Sequence, residues 1–193
     1  LSQMKRDMMA EVAATLAFST IANNDKVGVI LFSDKIEKYI PAQKGKTHVL
    51  HIIRELLSFE PSSTGTDIAQ ALQYFANAQK RRCTAFLISD FIHSGSIKKP
   101  LLIASNRHEV NAIQIYDRRE EELPNIGLVK FHDAETEHDL WIDTALTSVR
   151  NEYARSWRNN QESLDQLFTK TGVNHIRVRT DEDYVKALMH LFR

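Results

Sequence analysis

Hydrophobic residues recur along the chain with two different periods, and the two periods alternate. Continuous runs rich in β-branched residues are typical of strands buried on both faces, and such runs cover residues 26–33, 83–89, 109–116 and 173–179. Apolar residues three or four positions apart predict helices, here over residues 4–22, 47–58, 68–78, 96–106, 148–170 and 182–192. The alternation predicts an α/β fold in which a doubly wound, mainly parallel sheet carries helices on both faces.

Two segments depart from this alternation. Residues 36–40 follow a short polar turn and predict an antiparallel edge strand, paired with the first run in a hairpin that ends at Pro41. Residues 126–144 alternate apolar and polar positions around a polar turn, which predicts an exposed β-hairpin inserted at the edge of the sheet. The sequence shows no repeat and no linker, so we expect residues 1–193 to form one domain.

Charge and hydropathy exclude some classes of partner. Lys plus Arg and Asp plus Glu number 25 each, so no basic field would attract nucleic acid. No apolar stretch approaches the ~20 residues that cross a bilayer, and we expect no membrane insertion. The single cysteine, Cys83, lies in an apolar run, which excludes an intramolecular disulfide and predicts a buried thiol. Together with a polar start unlike a signal peptide, this favours a cytoplasmic location.

Two residues combine ligand chemistry with a position where an apolar run meets a loop. Thr66 lies in the segment SSTGTDIAQAL, and Asp90 follows the apolar run of CTAFLISDF. Hydroxyl and carboxylate oxygens suit Mg²⁺, so the two residues could meet on one cation at the rim of the sheet. Asp67, Ser89 and Ser63 could assist as outer partners of such a site. A site of this kind needs a third loop.

Each of these residues also has a structural interpretation. Thr66 could cap the following helix, and Asp90 could cap a turn after its strand. Asp67 is typical of an acid in the first turn of a helix, where the macrodipole favours negative charge. The histidine-containing and acidic segment at residues 131–139 matches no zinc spacing and predicts a solvated turn. No serine or cysteine stands in a nucleophile-elbow context, so we expect no hydrolytic triad.

Several motifs in order carry a family resemblance. They are NNDKVGVILFSDKIEKYIPAQKGKTHVLHIIRELL, GTDIAQAL, FLISDF and IYDRREEELPNIGLVKFHDAET. This series resembles the bacterial domain-of-unknown-function family fifty-eight, which is itself similar to von Willebrand factor type A domains. The resemblance implies a metal-ion-dependent adhesion site built from a D-x-S-x-S motif, a threonine and an aspartate. Thr66 and Asp90 match the last two, whereas D-x-S-x-S has no match.

The start of the chain, LSQMKRDMM, resembles the loop and helix that follow the first strand in that family. We therefore expect the domain to be N-terminally truncated and to lack a central strand between residues 26–33 and 83–89. These two strands would either pair directly or accept a segment of another chain, which would favour dimerisation. Mg²⁺ or Mn²⁺ would bind in the intact protein and only negligibly to these 193 residues.

The resemblance also implies a function. We expect a non-enzymatic protein-interaction module whose cation accepts an acidic residue of a partner protein. The family suggests a MoxR-type AAA+ ATPase as that partner, in protein assembly or maturation. The alternative is a metal-dependent hydrolase that acts on phosphoesters through the same acidic rim.

Overall fold

The computed structural model describes residues 2–63, 65–92, 95–132 and 139–191. The helices are α1 (Ser2–Asn23), α2 (Lys46–Ser58), α3 (Ile68–Ala78), α4 (Lys98–Arg107), α5 (Arg118–Glu121), α6 (Thr147–Thr171) and α7 (Tyr184–Leu191). The strands are β1 (Val27–Phe32), β2 (Ile36–Gln43), β3 (Thr84–Ser89), β4 (Glu109–Tyr116), β5 (Leu128–His132), β6 (Asp139–Asp143) and β7 (Asn174–Arg179).

A parallel sheet with the strand order β3-β4-β7 forms the centre of the fold. Successive residues of β4 point to opposite faces, so Ala112 packs with α3, α4 and α6, whereas Ile113 packs with α1 and α7. Both residues are fully buried. The prediction of a parallel sheet with helices on both faces is therefore confirmed for these three strands.

β1 lies in a different sheet, where it pairs only with β2 among the described strands. The prediction that residues 26–33 and 83–89 share one sheet is wrong, and so is the alternative in which they pair directly. Strand-helix alternation identifies strands, but it does not determine which distant strands become neighbours, whereas a short turn brings β2 next to β1. α1 links the two sheets, because its Val12 packs on the parallel sheet and its Ala17 packs with α2, β1 and β2.

β2 continues through Pro41 to Gln43, so the predicted end of the hairpin at Pro41 is wrong. The pairing shifts between Val27↔Gln43 and Val29↔Ile40, which places a bulge at Pro41. A bulge tolerates proline, because the missing N–H breaks no regular ladder hydrogen bond there. Opposite the bulge, a Cβ on Gly28 would lie 2.7 Å from the carbonyl oxygen of Ile40, so the close approach requires glycine.

The predicted hairpin within residues 126–144 is present as β5 and β6, although its turn at 133–138 lies outside the described residues. The two strands form a separate sheet and pair with no other described strand, so the predicted insertion at the edge of the main sheet is wrong. Alternation in the sequence shows which residues share a face of a hairpin, but it carries no information about attachment to another sheet. One outer face exposes Leu128 and Trp141.

Candidate functional site

Asp90 lies at the carboxyl end of β3, immediately after Ser89. Its Oδ1 accepts a hydrogen bond from the Ile92 backbone N–H at 3.1 Å, and its carbonyl accepts one from Gln114 Nε2 at 3.3 Å. Phe91 adopts a left-handed backbone conformation, with φ 57°, and donates its N–H to Ser89 Oγ at 3.1 Å. The interpretation of Asp90 as a turn cap is confirmed, and Ser89 fixes the turn rather than facing open solvent.

Glu120 reaches the same rim from the next strand of the sheet. β4 ends at Tyr116, and Asp117 then caps α5 by accepting the Arg119 N–H at 2.8 Å. The other oxygen of Asp117 accepts from Thr180 Oγ1 at 3.0 Å, which ties this turn to the end of β7. The short helix is therefore held at the carboxyl ends of two strands, and it carries Glu120.

Lys5 of α1 forms ion pairs with both carboxylates. Its Nζ lies 2.9 Å from Asp90 Oδ2 and 2.6 Å from Glu120 Oε1. The side chains retain only 14% exposure for Lys5, 23% for Asp90 and 17% for Glu120. Burial alone would lower the pKa of Lys5, but the two carboxylates outweigh burial and hold this pKa above its usual value. The site therefore contains one internal cation between two anions.

The pKa of Glu120 is also raised, for a different reason. Burial is the largest cause, and the negative charge of Asp90 adds to it, whereas Lys5 opposes it only in part. Glu120 Oε2 is buried and has no hydrogen-bond partner among the described residues. The ammonium is thus well satisfied, whereas one carboxylate oxygen of Glu120 is not.

Thr66 lies on a different loop, which leads into α3. The helix cap is Asp67, not Thr66: Asp67 Oδ1 accepts from the Gln70 N–H at 2.8 Å. The Asp67 N–H also donates to the Ser33 carbonyl at 2.8 Å, which attaches this loop to the end of β1. The interpretation of Asp67 as an acid in the first turn of the helix is therefore wrong, because Asp67 is the N-cap and lies one position before α3 begins.

The other predicted outer residue of this loop, Ser63, accepts the Gly65 N–H at 3.5 Å, so its hydroxyl serves the loop itself. The hydrogen bonds and ion pairs of Asp90 go to α1, to its own turn and to β4, and none reaches Thr66 in the described part of the chain. The assignment of Thr66 and Asp90 to one metal site stays a prediction.

The donor set around Asp90 does not fit a divalent cation in this conformation. Oδ2 bonds to an ammonium and Oδ1 accepts a backbone N–H. Across residues 2–63, 65–92, 95–132 and 139–191, no three His, Cys, Asp or Glu side chains are grouped to hold a metal. A divalent ion placed on Asp90 would lie against the positive charge of Lys5.

Sequence reasoning missed Lys5 and Glu120. A signal for Lys5 exists, because Lys5, Met8 and Val12 have the spacing of one helix face, and a lysine on an otherwise apolar face needs an anionic partner. Glu120 belongs to a run of three glutamates after two arginines, and nothing distinguishes it from its neighbours. Cys83, predicted to be buried, is half-buried, with Sγ 3.6 Å from His108 Nδ1.

Comparison with known proteins places the chain in a family. The model of the family described as "Protein of unknown function DUF58" matches residues 1–163. The chain belongs to this family. Similar proteins are the uncharacterized protein Mb1516 of Mycobacterium bovis and the uncharacterized protein Rv1480 of Mycobacterium tuberculosis, each 29% identical over 189 residues. These matches cover 96% of this chain and 59% of each relative, so the chain spans about three fifths of their length.

A further DUF58-like relative, the uncharacterized protein MAV169 of Mycobacterium avium, is 28% identical over 158 residues, which cover 80% of this chain and 92% of that protein. The resemblance to family fifty-eight is therefore confirmed. None of these names states a catalytic activity.

Two solved structures share the fold. An aerotolerance-related membrane protein from Bacteroides fragilis, carrying multiple mutations to serines, superimposes with a TM-score of 0.58 at 17% identity, over 95% of this chain and 86% of that one. BatB from Bacteroides thetaiotaomicron gives 0.53 at 18% identity, over 94% and 84%. At such identities the likeness shows the fold alone. In the part of the DUF58 chain that the structure describes, no helix combines the length and apolar character of a membrane span.

Proposed function

We propose that this DUF58 chain is a non-enzymatic protein-interaction module that binds its partner at the carboxyl-end rim of the parallel sheet. The observation that carries the proposal is the Asp90 turn, whose side chain, carbonyl and following N–H are all fixed by hydrogen bonds. Open α/β sheets bind ligands at this end of their strands. A non-glycine residue in the left-handed region, here Phe91, is characteristic of functional turns.

The family resemblance supplies the finer part of the proposal. In a von Willebrand factor type A-like arrangement, Thr66 and Asp90 would hold Mg²⁺ or Mn²⁺ together with a D-x-S-x-S loop, and an acidic residue of the partner would complete the site. We propose a MoxR-type AAA+ ATPase as this partner, in protein assembly or maturation in the cytoplasm. The comparisons support the family and the fold on which this proposal rests.

The test is capture of a MoxR-type ATPase from the same organism by the full-length natural protein. Asp90→Asn is nearly isosteric and removes the charge, and Asp25→Asn changes an exposed aspartate before β1 as the matched control. Truncating one partner of a buried charge pair at an interface costs about 2–5 kcal/mol, so Asp90→Asn should weaken capture at least tenfold. A chelator should act in the same way, and Asp25→Asn should change nothing.

Unchanged capture by Asp90→Asn, in a protein whose thermal unfolding is normal, would show that the rim is not the binding surface. Steady turnover of a generic phosphoester by the same protein with Mg²⁺ or Mn²⁺ would support the hydrolase alternative instead.

A further inference from the structure

Lys5, Asp90 and Glu120 come from three distant segments and meet at one point on the rim. The ammonium lies within hydrogen-bond distance of one oxygen of each carboxylate, at 2.9 and 2.6 Å. Two anions that share one cation leave a net negative charge, and the buried Oε2 of Glu120 has no partner among the described residues. A positive charge is therefore favoured between the two carboxylates, and the Lys5 ammonium occupies this position.

Lys5 lies three positions before Met8 on α1, the helix that packs on one face of the parallel sheet. The apolar contacts of α1 with the parallel sheet involve Met8, Met9 and Val12, which lie beyond Lys5. Met4, on the preceding position, is largely exposed. The buried apolar contacts of α1 therefore do not depend on Lys5, which is held at the rim by its two ion pairs.

We propose that the Lys5 ammonium takes the place of a metal cation at the rim. Its Nζ holds the position that a divalent ion would need at Asp90, so such an ion binds there only when the Lys5 side chain moves away. This inference rests on the proposed function insofar as both concern Asp90. Lys5 is a positioning residue that neutralises Asp90 and Glu120 and fixes α1 to the rim. Glu120 becomes an additional carboxylate of the same site.

The experiment measures Mn²⁺ binding to the 193-residue chain by the electron paramagnetic resonance signal of the free ion. Lys5→Gln removes the ammonium, and Lys5→Arg keeps the charge. Lys38→Gln is the matched control, because Lys38 is paired with Glu55 away from the rim. We expect Lys5→Gln to lower the dissociation constant for Mn²⁺ at least tenfold, and the other two variants to resemble the wild type.

Adding Asp90→Asn to Lys5→Gln should abolish the gained binding. Equal Mn²⁺ affinity of the wild type and Lys5→Gln would overturn the inference, and so would a gain that survives Asp90→Asn.

A second measurement does not depend on the folding of Lys5→Gln. The ¹⁵N resonance of the Lys5 ammonium should be resolved in the wild type, because a buried ammonium with two carboxylate partners exchanges its protons slowly. Titration with Mg²⁺, which is diamagnetic, should leave this resonance and those of the Asp90 turn in place, because the Lys5 ammonium keeps the ion away from Asp90. Saturable Mg²⁺ binding that shifts the resonances of the Asp90 turn and leaves the Lys5 ammonium unchanged would overturn the inference.

The two proposals fail separately. Loss of partner capture in Asp90→Asn without an effect of Lys5→Gln on Mn²⁺ binding would refute the Lys5 inference and leave the interaction surface in place. Gain of Mn²⁺ binding in Lys5→Gln, combined with partner capture that is the same for Asp90→Asn and the wild type, would refute the proposed function alone.

Discussion

The side chain of Phe168 in α6 packs against Phe91, the residue that follows Asp90 in its turn. Its ring meets the Phe91 ring edge to face with centroids 5.3 Å apart, and the His175 ring lies 4.9 Å away. The side chain is 1% exposed. Replacing a buried phenylalanine by alanine costs about 3–5 kcal/mol, of which the edge-to-face contact contributes about 0.5–1.5 kcal/mol. Phe168→Ala should therefore lower the free energy of unfolding by about 3–5 kcal/mol.

For a chain of 193 residues, each kcal/mol lowers the midpoint of thermal unfolding by about 2–4 °C. The midpoint of Phe168→Ala should consequently fall by about 6–20 °C, as measured by calorimetry, with urea unfolding as a second assay. Phe18→Ala is the matched control, because Phe18 is 57% exposed, and it should change stability by no more than about 0.5 kcal/mol.

The same substitution has a local readout. The ring of Phe91, whose backbone is left-handed, is buried against Phe168, so Phe168→Ala should speed amide hydrogen exchange at Phe91 and Ile92 more than the global loss of stability explains. A stability loss below about 1.5 kcal/mol, or one equal to that of Phe18→Ala, would refute the reasoning, since neither fits the cost of a buried ring.

Three further predictions follow from backbone packing, titration and strand edges. Gly28→Ala should destabilise by about 1–3 kcal/mol, because its Cβ would meet the Ile40 carbonyl at 2.7 Å; a normal or raised urea midpoint would contradict this. Burial, assisted by Arg107, lowers the pKa of His108. The unfolded chain therefore takes up this proton first, and stability should fall as the pH drops below about 6.5. His108→Phe should lack this part of the loss between pH 7.5 and 5.5 (roughly one unit either side of that value), and an unchanged pH dependence would refute the assignment. β1 and β3 each have an edge that pairs with no other described strand, so we expect dimerisation that increases with concentration in sedimentation velocity; a monomer at all concentrations would argue against it.

Local features of the fold could be predicted from the sequence, because they depend on neighbouring residues. The bounds of β4 and α3 agree with the predicted 109–116 and 68–78, where β-branched runs and helical spacing are unambiguous. The cap of α3 shows the limit of such reasoning. Threonine and aspartate stand side by side at residues 66 and 67, and either side chain can accept the hydrogen bond of a cap.

Features that depend on long-range contacts could not be predicted in this way. The division of strands into separate sheets depends on which edges meet in space, and the bulge at Pro41 depends on the geometry of β1 opposite it. At the site, the position of Asp90 followed from the sequence, but its ion pair with Lys5 joins residues 85 positions apart. A charge pattern read along the chain contains no record of that pairing.

α1 belongs to two cores at once, through Val12 on the parallel sheet and Ala17 beside α2 and the β1–β2 hairpin. α1 is one continuous helix of 22 residues, so it connects the two cores directly. Its Lys5 lies at the rim, and its Ala17 lies beside the hairpin. Val12 lies between Ala17 and Lys5 on this helix and is fully buried against the parallel sheet. A displacement of the hairpin along the helix axis would therefore disturb that core before it changed the ion pairs of Lys5.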